Sequence, residues 1–302
     1  MKIEWIHESE RELELKSLLK EKGFSKKLLA KIKFQGGMLE VNQTEVTVRA
    51  RVKSGDRVCV TLPPEEGNDY LTPDHTPIDV LYEDPHVLLI DKPVGVISVP
   101  SPAHKEGTMA NRVKGYIQRM GYEHQGVHVV TRLDRDTSGV MLFAKHSMAH
   151  SLLDVQLRAK QIQKMYAALL EGVWTGEAHG LLDMPIARSE ESIILRKVAP
   201  GGKTALTEYW VKERFPDATL MEIQLHTGRT HQIRVHFSHL GYPLVGDDLY
   251  GDPPEAMRFE RQALHCASVS FMHPFYDKPL QVRSPLPSDI QQLLRAQQVI
   301  TR

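Results

Sequence analysis

Between Pro63 and Asp91 the chain carries eight acids and five prolines and not one Lys or Arg. Prolines fix φ and like charges repel, so such a stretch stays extended and offers nothing to a phosphate. It also divides the charge of the molecule. From Lys16 to Arg57 there are eleven Lys and Arg against four acids, and from Lys92 to the end 25 basic residues against 21 acidic ones. The sum over 302 residues is zero, 38 of each sign, so the net charge conceals two mildly basic bodies that could face one polyanion. At about 150 residues per domain the length fits the same partition. We expect a first domain over 1–62, an acidic, proline-rich linker over 63–77 and a second domain over 78–302.

The remaining composition narrows the class. Hydrophobic residues make up 41% and charged residues 25%, the mix of a chain that folds around a core. No run approaches the roughly 20 apolar residues of a membrane span. The start, MKIEWIHESE, carries acids where a secretory signal has an apolar stretch, so a cytoplasmic location and no membrane partner are expected. Cys59 and Cys266 are the only cysteines and form no CxxC pair, which argues against a disulfide framework and against structural zinc. Overall neutrality and the lack of heptads favour a monomer.

In the first body, Leu13, Leu15, Leu18 and Leu19 predict a helix ending near Gly23. Ser25 can cap a second helix whose Leu28, Leu29 and Ile32 share a face, closed by Gly36 and Gly37, with lysines on the other side. Leu39 and Val41, then Val46 and Val48, predict a hairpin around Asn42 to Thr44, and Gly55-Asp56 turns into a last strand through Val58 and Val60. GFSKKLLAKIKFQGGMLEVNQTEV followed by VKSGDRVCV resembles an S4-type RNA-binding domain. The resemblance implies that the helix-face lysines meet RNA backbone. Lys26 stands where that family often has Arg, and an ammonium cannot make the two-pronged contact of a guanidinium.

In the second body, Val87 to Ile90 predicts a strand broken by Lys92-Pro93-Val94-Gly95, with Lys92 read as a loop charge. Further on, VHVVTRLDRDTSGVMLFAK places a polar turn, Arg132 to Gly139, between two apolar β runs. A carboxylate between buried strands is expensive unless paired, so Asp134 is either half of a structural ion pair or a catalytic acid held by a cation, and spacing alone leaves both open. Neither a GxSxG elbow nor a GxxxxGK[ST] or GxGxxG phosphate cradle is present, so no nucleotide cofactor is expected.

Arg132-Leu133-Asp134-x-x-Thr137-Ser138-Gly139 resembles the catalytic motif of the RluA-type pseudouridine synthases, and further blocks follow in that family's order. These are Lys164-Met165-Tyr166, Gly202-Lys203-Thr204-Ala205-x-Thr207, Leu225-x-Thr227-Gly228-Arg229-Thr230-His231-Gln232-Ile233-Arg234-Val235-His236, Gly246-Asp247 and Leu264-His265-Cys266-Ala267 with His273-Pro274. The likeness spans about residues 78 to 287. It implies an α+β fold with a mixed, largely antiparallel sheet and peripheral helices behind the small S4-like α/β domain, and an isomerase that converts uridine to pseudouridine in RNA. By the resemblance, Asp134 is the nucleophile, Arg229 the cation that keeps it charged, Tyr166 the ring that stacks on the target base, and Arg132 the side chain that enters the gap left by the flipped nucleotide. Lys203 could touch phosphate. Many members have His before Arg-Leu-Asp where this chain has Thr131.

The implied reaction moves the ribose C1′ bond from uracil N1 to C5 and gains or loses no atom, so neither a metal nor an organic cofactor is called for. Attack on ribose, attack on uracil and a glycal route all remain open. Large-subunit ribosomal RNA is the favoured substrate, with tRNA the alternative, and a noncatalytic RNA-binding factor is the rival class. His226, His231, His236 and His239 crowd together without an HExxH pair or a shared helix face, which weighs against a metal-dependent hydrolase. A helix from Thr230 to Leu240 should bury Ile233, Phe237 and Leu240 and leave His231, Arg234 and His236 structural or facing RNA.

Overall fold

The computed structural model describes residues 1–67, 70–190, 192, 194–251 and 259–300. The first unit opens with a strand the patterning did not predict, β1 (Lys2–Ile6). It continues through β2 (Leu13–Glu14), α1 (Leu15–Glu21), α2 (Lys26–Phe34), β3 (Met38–Val41), β4 (Thr44–Glu45), β5 (Arg51–Val52) and β6 (Arg57–Thr61). Ser25 caps α2 by accepting the Leu28 amide at 3.1 Å, as its sequence position suggests. Asn42 and Gln43 both take positive φ, the geometry of a two-residue turn whose twist suits a hairpin, and β3 pairs β4 across it. The sheet runs β1-β6-β3-β4. Leu15, Leu18, Leu19, Leu28, Ile32, Val58 and Val60 fill its core, while Lys16, Lys20, Lys22, Lys26, Lys27 and Lys33 stay exposed.

Residues 63–67 and 70–77 form no helix or strand, yet they are packed. Leu71 is buried, the Asp74 backbone amide donates to the Asn111 backbone carbonyl, and Asn111 Nδ2 donates to the Thr72 carbonyl. Glu65 accepts the Ser147 amide at 2.8 Å and meets His128 Nε2 at 2.6 Å. Burial pushes the Glu65 carboxyl up, but the bonds from His128 and Ser147 outweigh it and leave it at about 2. A carboxyl below its unfolded value of 4.5 contributes stability above that pH and loses it as pH falls toward 2. The shift corresponds to about 3 kcal/mol. Thermal melts should show Glu65→Gln less stable than the parent at pH 7, with the difference vanishing near pH 2; a constant difference across that range would contradict this account.

The second unit comprises β7 (Asp79–Glu83), β8 (Val87–Lys92), α3 (Met109–Arg119), β9 (His128–Val129), β10 (Ser138–Ala144), α4 (Ser147–Arg158), β11 (Gln163–Glu171), β12 (His179–Asp183), β13 (Ile186–Arg188), β14 (Arg196–Val198), β15 (Leu206–Arg214), β16 (Ala218–Leu225), α5 (Gln232–His239), β17 (Leu264–Met272), β18 (Pro279–Arg283) and α6 (Ser288–Ile300). Ten of the strands form one sheet, ordered β12-β15-β16-β11-β17-β10-β8-β7, with β18 on β17 and β9 on β10. Every pairing within it is antiparallel except β10 with β17. The expected mixed, largely antiparallel sheet with peripheral helices is therefore present.

Val87 to Ile90 and Val140 to Ala144 of the central strands are unbroken apolar runs because both faces are covered. Val87, Leu89, Val140 and Leu142 pack with Ala149 and Leu153 of α4 and Ile233 and Phe237 of α5, whereas Leu88, Ile90, Met141 and Phe143 pack with Met109, Val113 and Ile117 of α3. The parallel pair is short, Ser138 with His265 and Gly139 with Cys266. Gly139 has φ +112°, and a Cβ there would lie 2.2 Å from the Cys266 carbonyl oxygen, so the close approach requires glycine. This join fixes the polar turn Arg132 to Thr137 beside the middle of the sheet.

Candidate active site

The backbone of the turn is held on both sides of Asp134. Ser98 Oγ accepts the Leu133 amide at 3.0 Å and donates to the Leu133 carbonyl at 2.6 Å. The Asp134 carbonyl accepts the Thr137 amide. Lys92, read from sequence as a loop charge, is instead the fully buried last residue of β8. Its Nζ donates to the carbonyls of Pro93, Val96 and Arg135 at 2.7, 2.7 and 2.8 Å. Burial pulls this ammonium down to about 7, with Asp136 and Asp134 opposing. Three carbonyl acceptors match the three protons of the charged form. The clue in the sequence was a lysine ending an apolar strand.

With its backbone pinned, Asp134 opens its carboxylate on a cleft of about 1010 Å³, its side chain 32% exposed. Ligand pockets commonly run from about 300 to 1,000 Å³, so there is space for a nucleotide with part of its neighbours. The cation beside Asp134 is Arg234, with Nη1 3.9 Å from Oδ2, an ion-pair distance and not a hydrogen bond. Arg234 is fixed by a two-pronged pair to fully buried Asp247, Nε to Oδ2 at 2.7 Å and Nη2 to Oδ1 at 2.6 Å. Its guanidinium also lies 5.2 Å from the centre of the Tyr250 ring. Burial lowers the Arg234 pKa and Asp247 and Asp134 raise it, with a net upward shift.

The assignment of Arg229 as the neighbouring cation is thus corrected. Arg229 lines the same cleft, but its Nε donates to the Thr204 carbonyl at 2.9 Å, and its amide is accepted by Gln232 Oε1. The physical reason is the helix phase. α5 starts at Gln232, so Arg229 falls in the turn before it while Arg234 sits inside the helix, facing Asp134. Arg234 could have been found from Gly246-Asp247, whose buried acid needs a partner. Leu240 follows the helix and is 37% exposed, whereas Ile233 and Phe237 are buried as expected.

Tyr166 lies on β11 next to the parallel join, where its partner Cys266 follows a register shift between Met165 and Tyr166. It lines the cleft while its ring is largely buried. Burial, then Cys266 and Asp134, push its phenol well above the ordinary value, so it presents a neutral ring. Arg132 is exposed on the cleft wall. Lys203 is exposed outside the cleft lining, its backbone bridged to Ile186. Thr131 is buried and its hydroxyl accepts the Leu142 amide at 2.9 Å, a structural use.

The histidines go to separate partners. His226 meets Glu208, His236 meets the Met184 carbonyl, and His231, in a left-handed conformation at the start of α5, meets the Tyr250 hydroxyl. Among the described residues no three His, Cys, Asp or Glu gather as a metal set. His265 instead bonds Ser138 Oγ at 2.9 Å, tying the last sequence block to the turn that carries Asp134.

Residues 86–239 match the family model described as RNA pseudouridylate synthase. An uncharacterized RNA pseudouridine synthase of Bacillus subtilis (strain 168), YjbO, is 44% identical over 277 residues, covering 92% of this chain and 96% of the relative. A ribosomal large subunit pseudouridine synthase D of Pseudomonas aeruginosa is 37% identical, covering 85% of this chain and 83% of its own. The solved structure of human RNA Pseudouridylate Synthase Domain Containing 4 superposes with a TM-score of 0.60 at 22% identity, over 73% of this chain and 93% of that one, a likeness of fold.

Proposed function

The chain belongs to the RNA pseudouridylate synthase family, and from that membership we propose that Asp134 initiates the isomerisation of uridines in large-subunit ribosomal RNA. The protein is an RNA pseudouridine synthase, an isomerase. What carries the reading of Asp134 is its position: a backbone-clamped carboxylate open to a nucleotide-sized cleft beside a guanidinium that a second, buried carboxylate holds still. A target uridine reaches it by leaving its stack. The neutral Tyr166 ring lies flat-sided against the extruded base, and Arg132, on the exposed wall, occupies the gap in the RNA. Arg229 contacts the substrate from the Thr227 to Thr230 turn, and Lys203 reaches phosphate farther out.

The preference for ribosomal RNA draws on the relatives named as large-subunit synthases. The first unit, read as an S4-like domain, docks on structured RNA through the exposed lysines of α1 and α2. Transcriptome-wide pseudouridine mapping with and without the gene, paired with tritium release from 5-tritiated uridine in transcripts, tests the substrate. Lost sites should fall in large-subunit RNA; sites confined to tRNA would overturn that choice. Replacing Lys26, Lys27 and Lys33 together by Gln should weaken RNA binding and lower the slope of log K against log salt by about 2, at about 0.7 per lost phosphate contact. An unchanged slope would remove this face from the RNA interface.

A further inference from the structure

One of the other cations of the cleft has surroundings that differ from those of Arg234. Lys164 lies two positions before Tyr166 on β11 and lines the same cleft. Its Nζ stands over the Thr227 to Arg229 turn, where a Cβ added to Gly228 would be 3.8 Å away. Among the described residues its ammonium has neither a hydrogen bond nor an ion pair. Arg234, by contrast, is bound to Asp247, and Lys92 to three carbonyls. The side chain is half-buried in the open cleft, and with no protein partner its ammonium is open to something bound later that supplies one.

The local field says what that something is. Lys164, Asp134 and Tyr166 line one cleft; burial lowers the pKa of Lys164, Cys266 and Asp134 raise it, Arg132 lowers it, and Asp134 acts on Tyr166 as well. A backbone phosphate stays outside the base pocket, whereas the base itself enters it. In the ribose-attack and glycal routes the C1′–N1 bond breaks with its electron pair on N1, so the detached ring is a uracil anion; in the uracil-attack route the same pair goes to N1 of a ring still held by Asp134. The ring then gives a pair from C5 to form the C1′–C5 bond, loses the C5 proton, and takes a proton at N1. The negative charge exists only between the two bonds.

We propose that Lys164 is a further catalytic residue: its ammonium hydrogen-bonds the uracil ring as the C1′–N1 bond breaks and stabilises the anion until C5 closes on C1′. This rests on the reading of Asp134 as the group that starts the reaction. A donor aimed at charge that develops in the reaction is typically worth about 10²–10³ in rate, so Lys164→Met lowers the single-turnover rate by about that factor while the Kd for RNA stays within about threefold. Lys164→Arg keeps a donor and retains most of the rate.

The decisive comparison uses the leaving ring. Ribosomal RNA and tRNA transcripts are prepared with uridine or with 5-fluorouridine, whose detached ring is the weaker base, and loss of the N-glycoside is followed by digestion and mass spectrometry. The Lys164→Met defect should shrink by about tenfold on the fluorinated RNA, because a more stable anion needs less help. Should Lys164→Met not fold, the same ratio is read from Lys164→Gln. An equal defect on both RNAs, a defect carried by Kd, or an unchanged rate overturns the proposal, the second making Lys164 a phosphate contact. Asp134→Asn run in parallel separates the two readings: full activity there refutes the premise, whereas an inactive Asp134→Asn beside a normal Lys164→Met refutes the lysine alone.

Discussion

Asp134→Asn should abolish pseudouridine formation while leaving the melting temperature and RNA affinity close to those of the parent. The substitution changes one oxygen to NH₂ and keeps the shape. The bonds that fix the turn come from the backbone of Leu133, Asp134 and Arg135 and from Ser98 and Lys92, none of which uses the Asp134 side chain. Its ion-pair neighbour, Arg234, remains tied to Asp247. Asparagine can neither attack carbon nor take a proton as a carboxylate does, so the rate should fall by at least about 10⁴-fold, the scale of losing a nucleophile. Tritium release from 5-tritiated uridine measures it, with filter binding and thermal melts as companions. Turnover within tenfold of the parent would return Asp134 to a structural ion pair.

Much of this arrangement was legible because chemistry and periodicity coincide. Ser25, Leu28 and Ile32 mark a capped amphipathic helix, and Val87 to Ile90 and Val140 to Phe143 mark strands buried on both sides. The polar turn between apolar runs marked a charge that needs a reason, and the motif resemblance singled out Asp134 within it. What the sequence concealed was the set of partners across long separations. Arg229 and Arg234 lie five positions apart in one block, and only the start of α5 at Gln232 decides which faces the acid. Lys92 looks like a loop charge until Arg135, 43 residues on, folds back over it. β1 escaped because a five-residue strand pattern at the start of a chain is short, and its pairing partner β6 comes more than 50 residues later.

The Arg234–Asp247 pair should show a separation of stability from activity. Both side chains are buried, so removing one strands the other charge, and Asp247→Ala or Arg234→Ala should each cost about 3–5 kcal/mol. Asp247 also accepts the amides of Leu249 and Tyr250, which puts Asp247→Ala at the upper end. Replacing both together, as Arg234→Met with Asp247→Leu, removes the stranded charge and fills the volume, and should recover that stability apart from the share lost with the Leu249 and Tyr250 amide bonds, because apolar pairs of similar size often match a buried ion pair. Activity should not return with it. Asp134 would still lack the guanidinium 3.9 Å from its Oδ2. Denaturant titration and single-turnover assays on the parent, Arg234→Met, Asp247→Leu and the pair together form a double-mutant cycle. Stability and rate recovering together would mean that Arg234 serves the fold alone, and Asp134 would then need another electrostatic partner in the cleft.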